Sequence, residues 1–314
     1  SLYSVPEIER AEQCYRAWPM PDRDGVSERE RHRKVIDEAI TLDGDATGKS
    51  GDGVVMLAGG RFDVDSYVAL RMLRDTGCKL PVKLYHHSTQ PVSDQVRGID
   101  GVAVLPFDDL HAPFPTRRGW EWKEVAIGAS GFRRAMWLDA DAYPVVDPTP
   151  RFNDLDATGV VFWWDIAVSE AVFRADVYGI ADADRHYMRT PQAGVFLIDT
   201  VRHAKALAAL RRLNEHSGYF YSVSYSDQEL MRCIWTRLKL PFTSYSPEPV
   251  PNLGGNGHYL HNHVGPDGET FVVHRTGYKF GLRPERVDQV PGESRAWEHY
   301  AEWCRFRDRG AAGL

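Results

Sequence analysis

The sequence predicts an α/β protein with a mixed, mainly parallel sheet flanked by helices, and three observations carry that prediction. Strand-like apolar runs alternate with amphipathic helices over most of the chain. A strand, a glycine-containing turn, a helix and a second strand follow one another over residues 54–86, which makes a βαβ unit and implies parallel pairing. Finally, Met136-Trp137-Leu138 breaks off into Asp139-Ala140-Asp141 and then Pro144, the pattern of a buried strand that ends at a site. In α/β proteins ligands collect at the carboxyl ends of the strands.

Taken in order, residues 1–53 read as an N-terminal helical extension: one helix opening at Val5, a charged one over 27–40, and a Gly and Asp linker over 43–53. A core of 54–290 follows. Its first strand, 54–58, runs into Gly59-Gly60-Arg61 and a helix over 65–76, and strands at 82–86 and 102–107 come next. A helix over 119–127 leads to the Asp-x-Asp strand, whose extension into the site Pro144 stops. Residues 160–165 form a buried strand ending on Asp165, 167–185 a less regular helical region, and 192–199 another strand. Helices at 202–215 and 227–238 come after it, the second capped by Ser226. From 247 to 275 turns alternate with short strands, with Pro266-Asp267-Gly268 as a hairpin turn. A last helix, 296–307, belongs to a segment 291–314 packed on the same domain.

Composition bounds the function. At 314 residues the chain can bury a substantial core, and 43% hydrophobic with 26% charged residues is ordinary for a soluble enzyme. No apolar run is long enough to span a bilayer, and the first residues carry no secretory pattern, so the reading is a cytoplasmic protein without a membrane partner. A net charge of -6 speaks against a nucleic-acid polymer as partner. Cys14, Cys78, Cys233 and Cys304 are too scattered for a zinc site or a disulfide frame.

Several residues carry chemistry. Asp139 and Asp141 can reach one hard divalent cation through oxygen; the competing reading is a surface turn. Gly59-Gly60-Arg61, between strand and helix, offers backbone amides and a guanidinium to a phosphate or a base, against a plain tight turn. Lys123 lies one helix before the paired acids and can reach a phosphate, although a helical lysine is ordinarily solvated. Asp165 puts another carboxylate at the same edge of the sheet. Trp163 and Trp164 read as core, one of them also able to wall a ring. His258, His261 and His263 have metal-ligand spacing, but histidines in a hairpin are more often exposed. His274, followed by Arg275, Gly277 and Lys279, can cap a cation and hold phosphate oxygens, or be a single hydrogen-bonded strand histidine.

In that order the parts resemble nucleotide-sugar glycosyltransferases of the GT-A fold, nearest to the fungal α-mannosyltransferase family and more distantly to glycogenin-like enzymes. The resemblance rests on Val54 to Arg61, on Lys123 through Ser130-Gly131-Phe132 to Asp141, on Phe162 to Asp165, on Gln192-Ala193-Gly194 and on Ser226 to Glu229. It implies a GT-A (Rossmann-like) sheet and a manganese ion, with magnesium as the alternative, held by Asp139 and Asp141. The similarity of His274-x-x-Gly277-x-Lys279 to a glycogenin-like His-x-x-Gly-x-x-Lys makes His274 the third ligand, with the lysine one residue early. Donor contacts fall on Ala58, Gly59, Gly60, Arg61, Lys123, Asp139, Ala140, Gln192, Gly277 and Lys279. Asp165, Asp227 and Glu229 are the carboxylates for the sugar ring or the incoming hydroxyl.

The function so implied is a metal-dependent transfer of a hexose from a nucleotide-sugar donor to a hydroxyl of a small soluble acceptor, with UDP-glucose preferred over GDP-mannose. Two alternatives stand beside it. A haloacid-dehalogenase-like phosphatase would use Asp139 as nucleophile, but that site wants Thr or Val where Tyr143 stands. A non-catalytic nucleotide-sugar-binding protein would keep the fold without turnover.

Overall fold

The computed structural model describes residues 25–107, 119–165, 173–223, 227–251, 260–287 and 289–312. The first expected helix, Cys14, the cap Ser226 and His258 lie outside the described residues, as does part of the 167–185 region.

The strands are β1 (Asp52–Leu57), β2 (Val82–His86), β3 (Val102–Pro106), β4 (Arg134–Leu138), β5 (Ala142–Pro144), β6 (Val160–Trp164), β7 (Val195–Asp199), β8 (Thr243–Pro249), β9 (His261–Val264) and β10 (Thr270–His274). Seven of them make the main sheet, in the order β3-β2-β1-β4-β7-β6-β8. Every neighbouring pair is parallel except those made by β7, which runs against β4 and β6. The central strands are covered on both faces, which is why β4, β6 and β7 read as nearly unbroken apolar runs rather than alternating ones. Because β7 is reversed, it starts at the edge where β4 and β6 end. Asp139, Asp165 and the Gln192-Ala193-Gly194 segment therefore converge.

Helices α1 (Gly25–Ala39), α2 (Asp63–Asp75), α3 (Asp94–Arg97), α4 (Lys123–Ala129), α5 (Leu155–Thr158), α6 (Ala204–Asn214), α7 (Ser217–Val223), α8 (Asp227–Leu238) and α9 (Glu293–Ala312) cover the sheet. Two apolar clusters result, one holding Trp137, Phe162, Phe196 and Trp235, the other Met136, Trp163, Leu197 and Val272. Trp137 and Met136 thus sit in opposite cores, as alternation along one strand requires. No described helix is long and apolar enough to cross a membrane.

Four sequence readings are corrected. Pro144 is not what stops the Asp-x-Asp strand: β4 ends at Leu138, the chain turns at Asp139, where Ala142 N donates to Asp139 O at 3.0 Å, and Ala142–Pro144 then pairs with β10 in a second sheet, β5-β10-β9. A proline fits there because β5 is an edge strand. The 119–127 helix is a 3-10 turn over Trp120–Trp122 followed by α4. The described part of 167–185 holds turns and the 3-10 segment Asp182–Asp184 rather than a helix. Helix α7 was not foreseen, and β8 begins before residue 247.

The second sheet closes over the first through Trp163. Its ring stacks on Phe271 at 5.5 Å and meets His263 edge-on at 5.4 Å, while its Nε1 donates to Val264 O at 2.7 Å. Helix α9 packs on α2, tied by Arg295 and His299 to Asp75 at 2.6 and 2.7 Å.

Candidate functional site

The site begins at the turn between the two sheets. Asp139 N still donates to Gly194 O at 2.9 Å, extending the β4–β7 ladder by one step, and its Oδ1 accepts from Trp137 Nε1 at 2.7 Å. Ala140 is buried under the bend. Asp141 O accepts from Arg275 N at 2.8 Å, so the second acid is fastened to the end of β10. Pairing of Ala142 with His274 in that ladder brings His274 over the two acids. Its Nε2 lies 3.3 Å from Asp141 Oδ1 and 3.8 Å from Asp139 Oδ2.

One ligand atom each from Asp139, Asp141 and His274 lies within 4.8 Å of the others. Two carboxylate oxygens and an imidazole nitrogen form a donor set that fits a divalent cation of the manganese type. Burial lowers the His274 pKa, with Asp139 partly offsetting it, and a neutral imidazole is the form that ligates.

Behind Asp139 lies a buried charge cluster. Lys123 is 2% exposed, not solvated as a helical lysine would be. Its ammonium donates to Ala193 O at 2.6 Å and pairs with Asp227 at 2.6 Å, with Asp139 3.8 Å away. Burial alone would lower its pKa, but Asp139 and Asp227 outweigh burial and raise it. For Asp227 burial wins: its carboxyl is raised despite Lys123. Lys123 therefore lies beneath the acids as a buried counter-charge, not as a free solvated arm. Glu229 is buried in the same first turn of α8, two residues from Asp227 and so on a different side of the helix.

Asp165 joins this group from the end of β6. Its Oδ1 accepts from Gln192 Nε2 at 3.2 Å, and its Oδ2 accepts from Gln228 Nε2. Gln192 also donates to His261 Nδ1 at 2.8 Å and accepts from Gly194 N at 2.8 Å. Gln192 is a clamp whose hydrogen bonds hold Asp165, His261 and the start of β7 together. Gln228 is a residue that sequence reasoning misses: an amide beside Asp227 in the first turn of a helix has no local pattern that separates it from a solvated glutamine, and only the fold brings it to Asp165.

The opposite rim is formed by β1 and the segment after β10. Here the backbone differs from expectation. Ala58 N and Gly60 N are spent on Tyr85 O and Pro91 O at 3.0 and 3.2 Å, so neither amide faces a ligand. What these glycines supply is close approach: Gly59 has φ 116°, and a Cβ there would lie 2.2 Å from Gln90 O. Arg61 stays exposed, 4.9 Å over Phe62. Lys279 pairs with Asp141 and lies 5.7 Å from the Phe62 ring, its pKa lowered by burial. Gly277, half-buried, carries the bend between His274 and Lys279. Buried Asp65 fixes that bend by accepting from Phe280 N and Gly281 N at 2.6 and 3.0 Å.

The hairpin histidines are a further correction. His261 and His263 are 4% and 0% exposed, because alternate residues of β9 face the core. Burial pushes the His261 pKa down to about 3 and that of His263 well below its usual value. Among the described residues they back His274, their rings 5.9 and 6.1 Å from it, and the three-residue cluster able to hold a metal is Asp139, Asp141 and His274.

Comparison with known proteins gives the chain's likenesses in sequence and in fold. A family model described as a putative mannosyltransferase matches residues 51–193, from β1 through Asp139, Asp141 and Asp165 to Gln192, while His274 lies beyond it. An alpha-1,2-mannosyltransferase of Candida albicans is 29% identical over 37% of this chain and 18% of its own length. One of Saccharomyces cerevisiae is 24% identical over 43% of this chain and 24% of its own length. The match therefore spans only about a quarter or less of these relatives. Among solved structures, the galactosyltransferase LgtC in complex with donor and acceptor sugar analogues superposes with a TM-score of 0.53 at 15% identity, over 80% of this chain and 96% of that one. The fold is GT-A, and the sequence likeness is to fungal mannosyltransferases, both as the sequence reading expected.

Proposed function

We propose that this GT-A protein is a metal-dependent glycosyltransferase that moves a mannosyl group from GDP-mannose to a hydroxyl of a saccharide. The observation that carries the reading is the Asp139, Asp141 and His274 cluster at the strand ends of a GT-A sheet, two of its members inside the segment matched by the mannosyltransferase model. The names of the relatives favour mannose over the glucose preferred from the sequence, and UDP-glucose is kept as the second donor to test.

Cleaving the bond between the anomeric carbon and a nucleoside diphosphate leaves negative charge on the diphosphate and an oxocarbenium-like sugar. Manganese bound by Asp139, Asp141 and His274 would act there as a Lewis acid for the departing charge. Lys279, paired with Asp141, and Arg61, exposed after β1, would supply positive charge to the phosphate oxygens. Asp227, held by Lys123, and Asp165, held by Gln192 and Gln228, present polar atoms to the sugar side, where a carboxylate stabilises the positive ring or takes the acceptor proton. The phosphatase alternative is disfavoured, since Asp139 Oδ1 is committed to Trp137 and Tyr143 is buried in β5.

The test is mass spectrometry of products from GDP-mannose or UDP-glucose with an α-mannoside, with and without Mn²⁺. Metal-dependent appearance of a longer saccharide and free GDP supports the proposal. Release of inorganic phosphate would favour the phosphatase, and binding without turnover a carrier.

A further inference from the structure

Helix α9 lies outside the segment 51–193 matched by the mannosyltransferase model, yet its first residue reaches the two strands that flank the candidate metal cluster. Glu293 is 3% exposed. Its Oε1 accepts from Arg275 Nη1, Trp297 Nε1 and Val287 N at 2.7, 2.9 and 3.1 Å, and its Oε2 accepts from Arg275 Nη1 and the Tyr143 hydroxyl at 2.5 and 3.1 Å. Tyr143 stands two residues after Asp141, on β5, and Arg275 directly follows His274 at the end of β10. We infer that Glu293 is a positioning residue for the metal centre, fixing Asp141 and His274 relative to one another, so that α9 sets the affinity for the divalent cation. The inference rests on the proposed metal-dependent transfer and goes beyond it by assigning a residue outside the ligand set.

Arg275 transmits the constraint. Its guanidinium is fully buried, and its donors go to groups around the site. The backbone N donates to Asp141 O at 2.8 Å, Nε to Tyr278 O at 2.9 Å and Nη2 to Glu285 O at 2.7 Å. The guanidinium also lies 4.3 Å over the Phe280 ring. It thereby closes the loop that carries Lys279, and Lys279 pairs with Asp141. A buried guanidinium keeps such a place only while a counter-charge compensates its lost hydration.

Tyr143 carries the same constraint along the other strand. In the β5–β10 ladder Tyr143 pairs with Val273 and Ala142 with His274, so one carboxylate anchors both strands within two residues of a metal ligand on each side. Without it Arg275 must move toward water or another acid, and because its backbone N is bonded to Asp141 O, that movement shifts both ligands together. Outer-sphere partners of this kind are worth about 10–100-fold in metal affinity.

The experiment compares Glu293→Gln with His299→Ala, reading Mn²⁺ binding by electron paramagnetic resonance with GDP present and stability by urea unfolding. His299 is on the same helix and 1% exposed, with its ring nitrogens facing Asp75 and Glu302. Both variants should unfold at lower urea than the wild type. Glu293→Gln should also raise the Mn²⁺ Kd by roughly tenfold or more, whereas His299→Ala should keep the wild-type Kd. Tyr143→Phe, which removes one hydroxyl and keeps the ring, should raise the Kd in the same direction by a smaller factor. Wild-type Mn²⁺ affinity in folded Glu293→Gln, or in Tyr143→Phe should the first variant not fold, overturns the inference and leaves the metal site standing. An equal loss of affinity in His299→Ala overturns it too, since destabilising the helix anywhere would then suffice. A wild-type protein that binds no Mn²⁺ removes the metal reading, and the inference with it.

Discussion

His274 Nε2 lies 3.3 Å from Asp141 Oδ1, with both side chains 5% exposed. The two residues are far apart in the chain, and the β5–β10 ladder brings them together through the pairing of Ala142 with His274. A ligand carried on a strand is held more tightly than one on a loop, because the ladder fixes its backbone.

Replacing His274 by Ala should therefore raise the Mn²⁺ concentration for half-maximal turnover by roughly 100-fold or more, since a metal ligand is lost outright and even outer-sphere partners are worth about 10–100-fold. A Mn²⁺ titration of initial rate at saturating donor reads this directly. An unchanged half-saturation would remove His274 from the ligand set.

Gly194 is the test of how tightly that imidazole is seated. A Cβ at Gly194 would lie 2.2 Å from His274 Cε1 and 3.0 Å from Gln192 Oε1. Gly194→Ala should displace the ring, costing about 1–3 kcal/mol of stability as overpacking does, and raise the Mn²⁺ concentration for half-maximal turnover by roughly tenfold. In a His274→Ala background the same substitution should cost much less stability, because the clashing ring is gone. Equal thermal-shift penalties in both backgrounds would show that the contact does not govern the site.

Much of this site was legible in the sequence, and the remainder was not for identifiable reasons. The strand ending in Asp139 and Asp141 declares itself because burial on both faces makes it apolar up to the first acid. Asp165 follows by the same logic at the end of β6, two places along the sheet from β4. His274 stands at a strand end before Arg275, Gly277 and Lys279, a pattern equally open to a metal ligand and to a structural histidine, and the resemblance decides for the ligand. Strand β5 is three residues long and pairs with a partner about 130 positions on, so periodicity cannot find it. Lys123 and the β9 histidines look polar and exposed by residue type. Their burial is decided by Asp227 in one case and by the Trp163 face in the other, neither adjacent in sequence. Gly59-Gly60 reads as a pair of available amides, yet Pro91 O takes the Gly60 donor and Tyr85 O that of Ala58, both acceptors coming from the neighbouring strand and its loop.

The loop after His274 depends on a buried pair. Arg275 and Glu293 are joined at 2.7 Å, and Glu293 also accepts from Tyr143 OH at 3.1 Å and Trp297 Nε1 at 2.9 Å. Arg275→Met should cost about 3–5 kcal/mol, because it leaves a buried carboxylate without its counter-charge. Adding Glu293→Gln should recover part of that loss in urea unfolding. Strictly additive losses would argue against direct coupling.

Glu124 supplies a pH signature. Burial, with the Asp227 charge adding to it, pushes its carboxyl from 4.5 up to about 8, and its Oε2 accepts from Asn214 Nδ2 at 2.7 Å. A group whose pKa is raised on folding stabilises fully below its unfolded pKa and loses that contribution as pH rises through the folded value. Wild-type stability should fall between pH 4.5 and about 8 by an amount on the order of a few kcal/mol relative to Glu124→Gln, which has no proton to lose. Parallel stability profiles for the two proteins would show that Glu124 does not titrate in this window.

The claim on which the functional account depends is that one divalent cation sits between Asp139, Asp141 and His274 and receives the donor diphosphate. Electron paramagnetic resonance of Mn²⁺ titrated into the protein with GDP present tests it most directly. One ion per chain should bind to the wild type, with affinity tightened by GDP, and Asp141→Asn should abolish both effects. Retention of the same Mn²⁺ affinity and the same GDP dependence in Asp141→Asn would contradict the account.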